Sequence, residues 1–184
     1  MDIPVGWCND RERKWLSAYA TGKEIIIELG VYRGRSTTAL CNGGKVICCD
    51  FWSEDFHELQ DPNDPPGAWR PHPGDYESFI ESFNDEIQSG KVIPTRMDLY
   101  NLEDPGRLRL IEDYKGIADM VYIDASHQKE CVMSDISLAR LLLKPDGLMC
   151  GHDLCHTWPG IKQALEALSI RYKKGAGAIW SERK

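Results

Sequence analysis

Residues 25–36 read IIIELGVYRGRS. Three isoleucines and a leucine frame the acid Glu28, and two glycines, Gly30 and Gly34, then stand four residues apart ahead of Ser36 and Thr37. A run that is apolar on both faces suits a buried central parallel strand. Glycine at its end, followed by a hydroxyl-bearing helix start, makes a sharp strand-to-helix turn. Such turns hold ligands at the carboxyl edge of α/β sheets.

Outward from this turn, apolar bursts alternate with helical patterns, which indicates βαβ units and a parallel sheet. Strands are expected over 24–29, 45–50, 91–97, 118–124 and 148–152. Helices are expected from Asp10, as N-cap, to Gly22, and over 36–41, 76–88, 108–114, 129–143 and 160–168. Pro94 has no N–H for a ladder, which sends its strand to a sheet edge. Lys144-Pro145-Asp146-Gly147 reads as the turn before the fifth strand, and Gly175 and Gly177 centre a closing hairpin over 170–184. Between 52 and 75 the sequence is aperiodic and rich in Pro, Asp, Trp and His, as a lid or binding loop would be. A sheet ordered 3-2-1-4-5 has its topological switch between strands 1 and 4, where ligands bind. The segments 28–36, Asp50, 124–127 and His152-Asp153 all end strands at that edge.

Size and composition exclude several classes. With 184 residues the chain is expected to form one domain, 1–184. A net charge of −7 argues against a nucleic-acid partner, which needs a basic face. No run approaches membrane-spanning length, and MDIPVGWCND lacks the basic-then-apolar pattern of a leader, so no membrane partner is expected. Seven cysteines, without a CxxC pair and mostly inside apolar runs, read as reduced thiols of a cytoplasmic protein.

Dinucleotide turns use GxGxxG, whose second glycine lets backbone approach a pyrophosphate. Here Tyr32 stands in that place, and Glu28 puts a negative charge at the strand end that repels a diphosphate and attracts an ammonium. Asp50, twenty residues after Gly30, suits ribose hydroxyls. The ligand inferred is a ribonucleoside bearing an amino group in place of phosphates. S-adenosylmethionine fits, with its carboxylate near Ser36 and Thr37 and its ammonium near Glu28. The same residues disfavour a nicotinamide dehydrogenase. Taken without Asp50, the glycines would read only as a tight turn.

The stretch ELGVYRGRS resembles the first motif of class I methyltransferases, in the form found in catechol-type O-methyltransferases. VYIDASH followed by LKPDGLMCGHDL resembles a broad family of small metal-dependent O-methyltransferases, including enzymes that methylate sugars of macrolide antibiotics. The resemblance covers about residues 24–168. It implies an α/β Rossmann-like fold with helices on both faces and a seven-stranded sheet, order 3-2-1-4-5-7-6, closed by a short hairpin. It also implies S-adenosylmethionine lying across strands 1, 2 and 4. On that pattern Glu28, Gly30, Tyr32, Gly34 and Ser36 match the methionine end, Asp50 followed by Phe51 the ribose side, and Asp98 the adenine region. Asp124 completes the cofactor set.

In the metal-dependent relatives, an acid after strand 4 and a pair after strand 5 hold a magnesium-type ion, and a base sits three residues beyond the first acid. Asp124-x-x-His127 reproduces that spacing, and Asp124, His152 and Asp153 stand at the ligand positions. A cation holding acceptor oxygens would lower the hydroxyl pKa, and His127 would take the proton beside Asp124. His152 departs from the usual acid or amide and suits Mn²⁺, Fe²⁺ or Zn²⁺ better than Mg²⁺. The site then binds another metal, binds weakly, or uses His152 for acid–base work. Trp52, Phe56, His57, Trp69, His72 and Tyr76 give 52–75 the faces of a substrate lid, unless its tryptophans simply pack on the sheet. His156, Trp158 and Pro159 would form the opposite wall. The expected function is methyl transfer from S-adenosylmethionine to a hydroxyl of a small acceptor such as a sugar, polyol or phenol. A homo-oligomer could complete the substrate site. The alternative is a protein that binds S-adenosylmethionine or S-adenosylhomocysteine without transferring methyl.

Overall fold

Alternation of apolar side chains across the strands divides the core in two. In the computed structural model, which describes residues 3–52, 72 and 74–183, the chain runs α1 (Asp10–Ala20), β1 (Ile25–Leu29), α2 (Thr37–Leu40), β2 (Lys45–Asp50), α3 (Asp75–Ser82), α4 (Asn84–Gln88) and β3 (Val92–Arg96). It continues with α5 (Pro105–Tyr114), β4 (Ala118–Ile123), α6 (Lys129–Leu142), β5 (Leu143–Gly151), α7 (Pro159–Ala167), β6 (Tyr172–Lys174) and β7 (Trp180–Glu182). Among the described residues these strands form one seven-stranded sheet, ordered β3-β2-β1-β4-β5-β7-β6. β1 to β5 are parallel, and β7 runs antiparallel to both β5 and β6. The order agrees with the expected one, with Pro94 in the edge strand β3.

Ile27, Leu29, Val121 and Ile123 face α5, α6 and α7, while Ile26, Val46, Met120 and Tyr122 face α1 to α3. A strand's side chains alternate between faces, so Glu28 shares the second face with Ile26 and lies fully buried beneath α2. This packing is what brings the ends of β1, β2, β4 and β5 together at one edge. No described helix is long and apolar enough to cross a membrane. All seven cysteines are free thiols.

Several boundaries differ from the expectation for identifiable reasons. Asn9, not Asp10, caps α1: its side chain accepts from the N–H groups of Arg11 and Glu12, and Glu12 reaches back to the Asn9 N–H at 2.8 Å. The expected 76–88 helix is two helices, broken where Phe83 leaves helical geometry. The Lys144–Gly147 turn lies inside β5 as an irregularity, since Ala118 pairs with Leu143 and Met120 already pairs with Leu148. Most of the expected lid, and with it Phe56, His57 and Trp69, lies outside the described residues.

Candidate active site

The turn after β1 is held by what surrounds it. Gly30 has φ +85°, and a Cβ there would meet the Asp124 carbonyl oxygen at 2.2 Å, so β1 and β4 approach too closely for any side chain. Gly34 has φ +87°, and its Cβ would meet the Phe83 ring at 2.3 Å. Tyr32, between them, adopts φ 55° without being glycine. Trp52 after β2 and Asp153 after β5 do the same, at φ 40° and 57°. Three of the four non-glycine residues described with positive φ therefore sit at this one sheet edge, the other being Ser169. Such conformations persist only where the surroundings over-determine them, and they gather at functional sites.

Asp50 supplies much of that restraint at the turn. Its Oδ2 accepts the N–H groups of Val31 at 2.7 Å and Tyr32 at 2.8 Å, and its Oδ1 accepts Trp52 N–H at 3.2 Å. A carboxylate has about four lone-pair sites, so Oδ1 keeps one for a ligand hydroxyl. The Tyr32 carbonyl accepts the Trp52 indole N–H at 2.7 Å, and Tyr32 packs at 5.2 Å against the exposed ring of Trp7. Phe51 is half-buried beside Asp50.

Glu28 and Ser36 stand apart from that surface. Ser36 Oγ donates to Glu28 at 2.5 Å and Thr37 Oγ1 donates to it at 2.6 Å, both fully inside the protein. The acid thus anchors the start of α2 from below, with both of its oxygens held by hydroxyls of that turn. Burial, opposed in part by the two hydroxyls and aided by Asp124 and Asp50, pushes its pKa up to about 8. Asp98 accepts the N–H groups of Tyr100 at 2.9 Å and Asn101 at 3.3 Å, which fixes the loop after β3.

The second cluster is denser. His152, 7% exposed at the end of β5, has Nδ1 at 3.5 Å from Asp124 Oδ1 and 3.3 Å from Asp153 Oδ1. Its Nε2 lies 3.1 Å from Glu12 Oε1, a hydrogen-bond distance, though the ring N–H is not aligned on that oxygen. Asp153 Oδ2 meets His127 Nε2 at 2.8 Å, and the His127 ring stacks at 3.8 Å on Trp158. Tyr122 donates to Asp124 Oδ2 at 3.1 Å. Burial opposes a charged His152, but Asp124, Asp153 and Glu12 outweigh it and hold the imidazole far above its ordinary pKa. Burial likewise opposes an ionised Asp153, yet His127 and His152 hold it well below the usual range. Asp124 is raised by its burial, partly relieved by His152 and reinforced by the Asp153 charge. Ile123, Ser126, Val132, Ile161 and Trp180 complete the small cavity around Asp124, His127, His152 and Asp153.

A family model described as a methyltransferase domain matches residues 27–154, from β1 through the His152-Asp153 pair. The chain belongs to that methyltransferase family. No curated protein matches it. The methyltransferase fold is shared with solved structures of low sequence identity. An O-methyltransferase from Bacillus cereus, solved with S-adenosylhomocysteine, superposes with a TM-score of 0.67 at 17% identity, over 99% of this chain and 84% of that one. The calicheamicin methyltransferase CalS11 gives 0.69 at 14% identity, over 96% and 80%. A Podospora anserina methyltransferase with bound S-adenosylhomocysteine gives 0.61 at 15% identity, over 94% and 77%.

Within this methyltransferase frame the structure brings Gly30, Tyr32, Asp50, Asp124, His127, His152 and Asp153 to one edge and leaves Glu28 and Ser36 beneath it. Trp158 meets the cluster, while His156 and Pro159 are exposed. Two contributors were not legible beforehand. Glu12 lies inside the expected first helix and Trp180 inside the expected closing hairpin, and neither position carries a ligand signal in the sequence. Their place at the site depends on how α1 and β7 pack, which no local pattern encodes.

Proposed function

We propose that this methyltransferase moves the methyl group of S-adenosylmethionine to a hydroxyl of a small acceptor, with His127 as the base. The observation that carries the reading is the His127–Asp153 pair at 2.8 Å, set beside Asp124 at the carboxyl end of the sheet. Asp153 accepts the Nε2 proton, which leaves Nδ1 of His127 as the basic atom. Stacking on Trp158 fixes the ring plane. Proton removal from an acceptor hydroxyl by a positioned base of this kind contributes about 10²- to 10⁴-fold. The proton comes to rest on Nδ1, and the resulting imidazolium is stabilised across its other nitrogen by the Asp153 carboxylate.

S-adenosylmethionine supplies an electrophilic methyl on a sulfonium. The chain's part is to place it: the spare lone pair of Asp50 suits a ribose hydroxyl, and Tyr32 and the loop at Asp98 border the same edge. Asp124, His152 and Asp153 offer one ligand atom each, all within 4.8 Å of one another, which fits a divalent ion. An ion held there would bind acceptor oxygens and acidify the hydroxyl. The exposed Trp7 beside Tyr32 offers an aromatic face for a sugar or planar acceptor.

Calorimetric titration with S-adenosylmethionine, followed by release of S-adenosylhomocysteine over a panel of sugars, polyols and phenols, tests the proposal. His127→Ala should abolish transfer while the heat of cofactor binding persists. Transfer that survives in this variant would remove His127 from the mechanism, and absence of any binding heat would remove the cofactor.

A further inference from the structure

Three side chains meet at the ends of β4 and β5, and each is divided between an inner and an outer atom. The inner atoms are Asp124 Oδ1, Asp153 Oδ1 and His152 Nδ1. The outer atoms face partners of their own: Asp124 Oδ2 accepts from Tyr122 at 3.1 Å, Asp153 Oδ2 meets His127 at 2.8 Å, and His152 Nε2 faces Glu12 at 3.1 Å. Glu12 comes from α1, is 3% exposed, and is itself fixed by the N–H groups of Asn9 and Ala178, each at 2.8 Å. His152 Nε2 is fully buried and has no aligned hydrogen bond, with Glu12 the acceptor at hydrogen-bond distance among the described residues.

Resting on the divalent-ion reading above, we infer that this cluster is built for a borderline ion of the Mn²⁺, Fe²⁺ or Zn²⁺ class, which would displace the Nδ1 proton of His152 to solvent, with Glu12 as the positioning carboxylate that turns that nitrogen toward it. Spacing supports the assignment. Ligand atoms about 2.1 Å from one ion stand about 3.0 Å apart at a right angle and about 3.4 Å apart at the tetrahedral angle. The inner atoms lie 3.3 and 3.5 Å from Nδ1. The donor set supports it too, because imidazole suits these ions and is a poor partner for Mg²⁺. An outer partner for every ligand is how metal sites fix ligand orientation, and a carboxylate behind a histidine selects the ring nitrogen that faces the ion. Glu12 does this from a helix outside the 27–154 methyltransferase match.

The experiment uses the full chain, stripped with chelator, without acceptor. MnCl₂, ZnCl₂ and MgCl₂ are titrated calorimetrically, and CoCl₂ is followed by its visible absorption. Mn²⁺ and Zn²⁺ should bind at least about tenfold more tightly than Mg²⁺. Glu12→Gln keeps the side chain's size but only one of the two oxygens that accept the Asn9 and Ala178 N–H groups, so its folding is checked by circular dichroism; in the folded variant Mn²⁺ binding should weaken by about 10- to 100-fold and the Co²⁺ band should shift. His152→Asp should move the preference toward Mg²⁺, and this arm decides the ion class if the Glu12 variant does not fold. Mg²⁺ binding as tightly as Mn²⁺ in the unsubstituted protein, or an unchanged preference in His152→Asp, overturns the ion class. Wild-type Mn²⁺ affinity in a folded Glu12→Gln protein overturns the role of Glu12 alone. Absence of binding by every ion overturns the ion reading itself, while methyl transfer is judged separately by the cofactor titration.

Discussion

Replacing Glu28 with glutamine asks whether the acid beneath the turn carries a charge. The carboxyl is 0% exposed, and its polar company is Ser36 at 2.5 Å, Thr37 at 2.6 Å and the Cys48 thiol at 3.8 Å, none of them cationic. The unfolded chain loses this proton near 4.5, whereas burial lets the folded chain keep it to about 8. Between those values the folded state binds more protons, so rising pH favours unfolding. The folded state suffers no penalty below about 4.5, loses stability through the window, and levels off above about 8. At about 1.4 kcal/mol per pH unit, the span from about pH 5 to about pH 8 is worth at most about 4 kcal/mol. Glutamine keeps the shape and has no proton to lose; its oxygen accepts from one hydroxyl and its amide N–H donates to the other, as the O–H of the protonated acid does. Thermal unfolding of both proteins, without ligand, is the assay. The variant's Tm minus the wild type's should grow by about 10 °C between those pH values, at about 3 °C per kcal/mol for a chain of this size. A difference that stays flat would refute the reasoning, since it would mean the buried acid ionises at its ordinary value.

Gly34→Ala should cost about 2–4 kcal/mol by denaturant unfolding, from its positive φ and its overlap with Phe83 together. Gly22→Ala, at φ +78° with nothing within 4 Å, should cost only about 1 kcal/mol for the backbone. Asp50→Asn removes the charge that holds two turn N–H groups and the proposed ribose contact; calorimetry should show S-adenosylmethionine affinity reduced about tenfold or more. Arg35→Ala frees the carbonyls of Cys8 and Pro4, which its guanidinium holds at 2.6 and 3.1 Å, and limited proteolysis should then cut near residues 3–9 faster.

Much of the fold was legible because its signals are local. Ile25-Ile26-Ile27 can satisfy two buried faces only in a central strand, and Pro94 can stand only where a ladder hydrogen bond is not needed. The expectation failed where several conformations had similar local merit. Asp10 has a side chain that can cap, but so does its neighbour Asn9, and the reciprocal hydrogen bond of Glu12, three residues after Asn9, places the cap there. The Lys144–Gly147 stretch has turn chemistry wherever it falls, and only pairing with β4 shows that it interrupts a strand rather than precedes one.

At the site the division is the same. Beyond the sheet order, which the resemblance to class I methyltransferases implied, the sequence by itself determined the strands, the edge at which Asp50, Asp124, His127, His152 and Asp153 end them, and the turn that requires Gly30. Those follow from hydrophobic period, chain direction and the stereochemistry of glycine. Which atoms face the site was decided by tertiary structure. A strand of period two could put Glu28 under α2 or toward a ligand edge according to how its end is packed, and the hydroxyls of Ser36 and Thr37 draw it inward. Glu12 stands 140 residues before His152 in the chain, and only the packing of α1 on the sheet brings them to 3.1 Å.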